Sequence, residues 1–212
     1  NALREVRRGR VVIGANEAGV YSVLPLIATF RQLHPDIVVD VRRVAARQMA
    51  QEIQLRSVDI GVLTFNPPEK GLQSVVINTD ELVLLVRPDH SFAGLPHVTL
   101  EQIGKEPVIA HNDPSPLRDQ VLRTYEQRHA PIDIRLALPS LDGIKRAVSM
   151  GLGIALLPGR CAQEEIARGD LVAIRVPELK AARQVRLVAR SDAALSHAAR
   201  AFLTMVKEKA GK

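Results

Sequence analysis

Apolar positions in this chain switch repeatedly between short unbroken runs and a spacing of three and four. Short runs bounded by Gly, Pro, Asn or Asp read as buried strands, and the wider spacing reads as helix. The first run, residues 10–15, ends in a turn at Asn16, Glu17, Ala18 and Gly19. A helix is expected over residues 20–33, where Val20, Val23, Leu24, Ile27 and Phe30 keep helical spacing. Tyr21, Leu26 and Leu33 widen that stripe, so two sides of the helix should be covered. His34, Pro35 and Asp36 stop it, because a residue before proline is pushed out of the helical region. Strands are then expected at 37–44 and 60–65, with a helix over 47–56 between them. Further strands are expected at 72–77 and 82–86, then a loop at Pro88, Asp89 and His90 and a short helix over 99–103.

The most informative stretch is residues 107–159. Twice in it a short apolar run, 107–110 and then 132–138, leads to a serine in a Pro-containing turn, Ser115 and Ser140, and a helical pattern follows. A third run, 153–157, stops at Pro158 and Gly159. Strand, capped helix, strand, capped helix, strand is the grammar of an α/β fold. Open α/β sheets bind ligands outside the carboxyl ends of their strands, where such helices begin. A helix over 159–167, strands at 171–176 and 184–189, and a closing amphipathic helix over 193–209 complete the pattern. Residues 2–8 read as the end of a helix broken by Gly9, so the natural chain is expected to continue upstream.

Composition changes this picture in one respect. The 212 residues are 46% hydrophobic and 25% charged, with a net charge of +6. That charge is largely terminal. The first ten residues hold four Arg and one Glu, and the last six hold three Lys and one Glu, which leaves the body close to neutral. With no Trp and only six Phe and Tyr, platforms for base stacking are scarce. Direct nucleic-acid binding by this segment is therefore not expected. No apolar run approaches the roughly 20 residues of a membrane span, and no signal peptide is evident. The single Cys161 forms no intrachain disulfide, which favours a reducing compartment.

Catalytic chemistry finds little support. Gly151 and Gly153 follow a helix and precede a strand, the reverse of a phosphate-binding loop, and Leu156 fills the third glycine position. A helix C-cap is the better reading of Gly151. The six histidines are dispersed without metal-ligand spacing, and no G-x-S-x-G or S-x-x-K pattern occurs. No metal, cofactor or catalytic residue is expected.

The run VVIGANEAGVYSVLPLIATFRQLHPDI, then RSVDIGVL, then ELVLLVRPDH, then SLDGIKRAVSMGLGIALLP resembles the effector-binding domain of LysR-type transcriptional regulators over essentially the whole chain. The resemblance implies two Rossmann-like subdomains joined by two crossover strands, a fold similar to type II periplasmic binding proteins. Subdomain I would hold residues 11–86 and 188–212, subdomain II residues 87–187, and residues 1–10 would end a linker helix. It implies a small-molecule effector in the cleft between subdomains, a homodimer or homotetramer, a cytoplasmic location, and contact with DNA only through a separate helix-turn-helix domain. A periplasmic solute-binding protein of related fold is the alternative, and a signal peptide upstream of Asn1 would distinguish it.

Candidate ligand contacts are the turn Asn16, Glu17, Ala18 and Gly19, then Arg47, Thr64 and Phe65, then His111, Asn112, Ser115 and Ser140. Helix N-termini suit a carboxylate or phosphate, although Ser115 and Ser140 would serve as N-caps in either case. In the family the first turn often carries Ser or Thr. Glu17 departs from that pattern, and an effector that bears an amine is as consistent with it as a carboxylate that faces solvent. Arg47 and Arg118, each at a helix start, would counter an anionic group or pair with a nearby acid. Phe65 is more readily a core residue than a ligand platform. The apolar stripe over 20–33 and the strand over 37–44 are candidates for a subunit interface, with burial under the C-terminal helix as the competing reading.

Overall fold

A computed structural model describes residues 9–179 and 182–210. The expected helix at residues 2–8 lies outside that range. The chain divides into two compact units, residues 1–79 with 183–212, and residues 80–182.

In the first unit, β1 (Arg10–Ala15) turns Val11, Ile13 and Ala15 inward, which is the alternation of a strand with one covered face. Helix α1 (Glu17–Leu33) starts three residues earlier than the apolar spacing indicates. Asn16 caps it, its Oδ1 accepting from the Gly19 N–H at 2.8 Å, so cap chemistry and not hydrophobic spacing sets the start. Strand β2 (Val38–Arg43) pairs with β1 in parallel, and β3 (Ile60–Leu63) pairs with its other edge, also in parallel. Between β2 and β3 lies α2 (Met49–Gln54). It is shorter than the expected 47–56, and Arg47 stands in the turn before it.

Two glycines let α2 sit close to the sheet. A Cβ on Gly61 would come within 2.5 Å of Met49 Cγ, and one on Gly14 within 2.7 Å of Met49 Sδ. The sheet continues through β4 (Leu72–Asp80) and β10 (Arg183–Arg190) in the order β2-β1-β3-β10-β4, with β10 antiparallel to β3. Helix α7 (His197–Ala210) packs Phe202 edge-on against Phe30 of α1, ring centroids 4.9 Å apart. The inner side of the α1 stripe, Val23, Ile27 and Phe30, is thus buried in one cluster with α7.

The second unit repeats the plan. Strand β6 (Pro107–His111) pairs in parallel with β7 (Asp133–Leu138), and α4 (Pro116–Gln127) connects them. Helix α5 (Leu141–Ser149) leads from β7 to β8 (Ala155–Pro158). Strand β5 (Leu82–Val86) pairs antiparallel with β8 and with β9 (Val172–Ile174). A parallel bridge between Val108 and Ile154 joins the two groups, which gives the order β7-β6-β8-β5-β9. In both units three parallel strands are followed by an antiparallel fourth. The fourth strand of each comes from outside the run that supplies the other three. Short α3 (Leu100–Ile103) carries a capping box between Thr99 and Gln102.

Residues 159–167, expected as one helix, form a 3₁₀ turn at Gly159–Ala162 and then α6 (Gln163–Arg168). Cys161 is buried in that turn. The C-cap reading of Gly151 is met. Its φ is 78°, and the N–H groups of Leu152 and Gly151 donate to the carbonyls of Ala147 and Val148, the Schellman pattern.

Candidate functional site

The parallel strands place the candidate residues at one end of each sheet. In the first unit β1, β2 and β3 run the same way, so Asn16 to Gly19, Arg47, and Thr64 with Phe65 all follow carboxyl ends. Gly19 brings the first turn of α1 against β3, since a Cβ there would lie 3.2 Å from Val62 Cγ1. Phe65 is not a core residue: it is 37% exposed. Arg47 is exposed, and Glu17 is half-buried.

In the second unit His111 ends β6, Asn112 follows it, and Ser140 follows β7. The Asn112 N–H donates to the Leu138 carbonyl at 3.0 Å, which ties these two strand ends together. The Asp113 N–H donates to His111 Nδ1 at 3.1 Å, so the imidazole is held by its own loop. Ser115 caps α4, its Oγ accepting from the Arg118 N–H at 3.1 Å, and Pro116 fills the first helical position. The Arg118 guanidinium donates to the Asn112 carbonyl of the same loop at 3.3 Å. Ser140 caps α5, its Oγ accepting from the Gly143 N–H at 3.0 Å. A side chain at residue 143 would crowd that oxygen to 2.8 Å, so glycine keeps the cap open.

Three of the helices that begin at these strand ends, α1, α4 and α5, therefore carry side-chain caps and direct their remaining first-turn N–H groups outward. Each of these ends can hold an anion or a hydrogen-bonding acceptor without a metal. Among the described residues no three His, Cys, Asp or Glu side chains gather as a metal site. On α4, Tyr125 is buried, and burial first and the charge of Glu178 second push its hydroxyl well above the ordinary tyrosine range. It is a core phenol.

Sequence reasoning missed one buried charge and one largely buried one. Lys145 sits 5% exposed on the inner stripe of α5. Arg190, at the end of β10, donates to the carbonyls of Ile53 and Val58 and pairs with Asp59 at 3.5 Å. A basic residue next to an apolar run has no signature that separates burial from solvation. The one usable hint was Lys145 falling in helical register with Leu141, Ile144 and Val148.

Two α/β units of one strand order, with capped helix N-termini at the carboxyl ends of their parallel strands, define the ligand-binding class built like type II periplasmic binding proteins. The chain matches the LysR substrate binding domain over residues 4–211, and it belongs to that family. It is 28% identical over 207 residues to a probable RuBisCO transcriptional regulator of Cyanophora paradoxa, which covers 94% of this chain and 64% of that protein. It is 26% identical over 211 residues to the RuBisCO operon transcriptional regulator of Allochromatium vinosum, covering 100% of this chain and 70% of that protein. The chain thus spans about two thirds of the length of these curated relatives. Among solved structures it resembles the regulatory domain of Synechocystis PCC6803 CcmR in complex with 2-PG, with a TM-score of 0.83, 24% identity, and 95% and 97% of the two chains covered. It also resembles the effector binding domain of QuiR in complex with shikimate, with a TM-score of 0.77, 19% identity, and 96% and 98% covered.

Proposed function

We propose that this chain is the ligand-sensing domain of a LysR-type transcriptional regulator, and that a small metabolite is held by the turns at the carboxyl ends of its parallel strands. The observation that carries this reading is the set of three capped helix N-termini, at Asn16, Ser115 and Ser140, each following a parallel strand. Family membership supports it, as do structural relatives described in complex with 2-PG and shikimate. The curated relatives compared above are transcriptional regulators, which favours this reading over a periplasmic solute carrier or an enzyme. The domain binds its ligand without transforming it, and DNA is contacted by a separate helix-turn-helix domain. Action on DNA places the regulator in the cytoplasm. Among the described residues no helix is long and apolar enough to cross a membrane.

Asn16, Glu17, Ala18, Gly19, Arg47, Thr64 and Phe65 form the contact set of the first unit. His111, Asn112, Ser115 and Ser140 form that of the second. The effector carries a carboxylate or an amine, and Glu17 decides which is preferred at the first turn. A thermal-shift panel of carboxylates, amino acids, amines, phosphosugars and aromatic acids tests this. A ligand at about 100 times its dissociation constant adds roughly 2.7 kcal/mol, or about 5–11 °C for a chain of this size. The Glu17→Ser variant is expected to fold normally and to change the order of preference, in favour of anions. A panel that shifts neither form would sink the sensor reading. Identical preferences in both forms would remove Glu17 from the site.

Ligand control also requires two states with different affinities, and a homo-oligomer is the means of transmitting them. Leu24 of α1 is 50% exposed, and Val41 of β2 is 38% exposed. Val41 lies two residues beyond Val39, which packs into the cluster that α1 covers, so both residues border the same side of the sheet. Strand β2 is moreover an edge strand of its sheet, and exposed edges tend to be covered. The pair Leu24→Asp and Val41→Asp is expected to halve the particle mass in light scattering without lowering the melting temperature. An unchanged mass would place the interface elsewhere.

A further inference from the structure

The inner stripe of α5, Leu141, Ile144, Ala147 and Val148, also contains Lys145, 5% exposed. Its ammonium donates to the Cys161 carbonyl at 2.8 Å and pairs with Glu165 Oε1 at 2.7 Å and Asp142 Oδ1 at 3.1 Å. The other oxygen of Glu165, Oε2, is buried and accepts no hydrogen bond. A buried ion pair is seldom worth more than apolar residues of the same volume, so stability alone does not account for a lysine here. Placement does. Helical side chains lean toward the helix N-terminus, which brings the ammonium back toward the turn where Ser140 Oγ accepts from the Gly143 N–H. Besides Asp142 on its own helix, its partners lie on the 3₁₀ turn and on α6, which follow β8 as Ser140 follows β7. Lys145 therefore joins two neighbouring strand-end segments of the second unit.

We propose that Lys145 is a positioning residue that sets the orientation of the α5 N-terminal turn against the segment after β8, with Glu165 as its fixed partner. This rests on the reading that Ser140 and its turn contact the effector. Lys145 itself touches no ligand.

Hydrogen exchange on the free domain tests it without any effector, so a failure of the sensor reading leaves the outcome interpretable. In Lys145→Met, amides at 143–144 and 161–165 are expected to exchange at least about tenfold faster while those of α4 keep their wild-type rates, as in a local opening. The double variant Lys145→Met with Glu165→Leu removes the uncompensated carboxylate. It is expected to regain the thermal midpoint and yet to keep the fast exchange at 143–144, which separates alignment from stability. Wild-type exchange in Lys145→Met overturns the proposal. So does a double variant that recovers slow exchange together with stability, or one that fails to fold, since either shows a structural ion pair and no more.

Discussion

Replacing Arg190 by methionine is expected to cost the first unit about 3–5 kcal/mol, the usual penalty for stranding one partner of a buried charge pair. The Arg190 side chain is 11% exposed and that of Asp59 is 17% exposed. Asp59 is committed on its other oxygen, Oδ2, which accepts from the Val12 N–H at 2.9 Å. Arg190 also satisfies the Ile53 carbonyl at the end of α2 and the Val58 carbonyl before β3. Methionine preserves much of the stem but leaves the Asp59 carboxylate without its charge partner and takes one donor from each of the Ile53 and Val58 carbonyls, of which Ile53 keeps the Arg56 N–H at 3.2 Å. Urea unfolding should show the loss, and exchange protection should fall first at β1, α2 and β3. A loss below about 1 kcal/mol would mean that water replaces the guanidinium, as at a surface pair.

Gly153→Ala should be nearly as damaging, about 3 kcal/mol, at the upper end for overpacking. A Cβ at residue 153 would run into the Pro107 carbonyl oxygen and lie 3.1 Å from Ile109 Cγ1. Backbone does not yield as a flexible side chain would. Relief would require breaking the bonds from the Ile154 N–H to Pro107 and from the Ile109 N–H to Ile154, at 3.0 and 2.8 Å. Those bonds join β6 to the strand entering β8, so the injury falls at the seam that unites the second unit's strands. Reduced protection at 107–109 and 154–157, with β1 to β3 unaffected, is the expected signature. An alanine variant as stable as the parent would show that β6 and β8 can separate without loss.

Much of the local structure was legible because it is encoded locally. Strand β1 was read with its observed bounds from one apolar run, and Ser115 and Ser140 cap α4 and α5 because serine before a helical pattern satisfies first-turn N–H groups. Where the reading slipped, a local cap decided in one case and a partner out of sequence range in another. The start of α1 moved to Glu17 because Asn16 caps it, while the apolar stripe begins only at Val20. Strand β4 runs on through Asn78, Thr79 and Asp80, although Asn and Asp are poor strand formers, as an edge strand hydrogen-bonded to β10. The candidate site was legible as turns after strands. The side chains that brace it were not.

Sequence alone thus determined most of the elements, the serine caps of α4 and α5, the α/β class and the family resemblance. These depend on periodicity and on residues within a few positions of one another. Only the tertiary structure decided that β10 closes the first sheet while β5 serves the second, because backbone pairing leaves no mark on side-chain identity. It alone decided, too, that Lys145 is buried, 5% exposed, and that the Arg190 side chain is only 11% exposed. A charge is buried only where partners more than a dozen residues away, Cys161 and Glu165 for one, Asp59 for the other, compensate its desolvation, and that is a property of three dimensions.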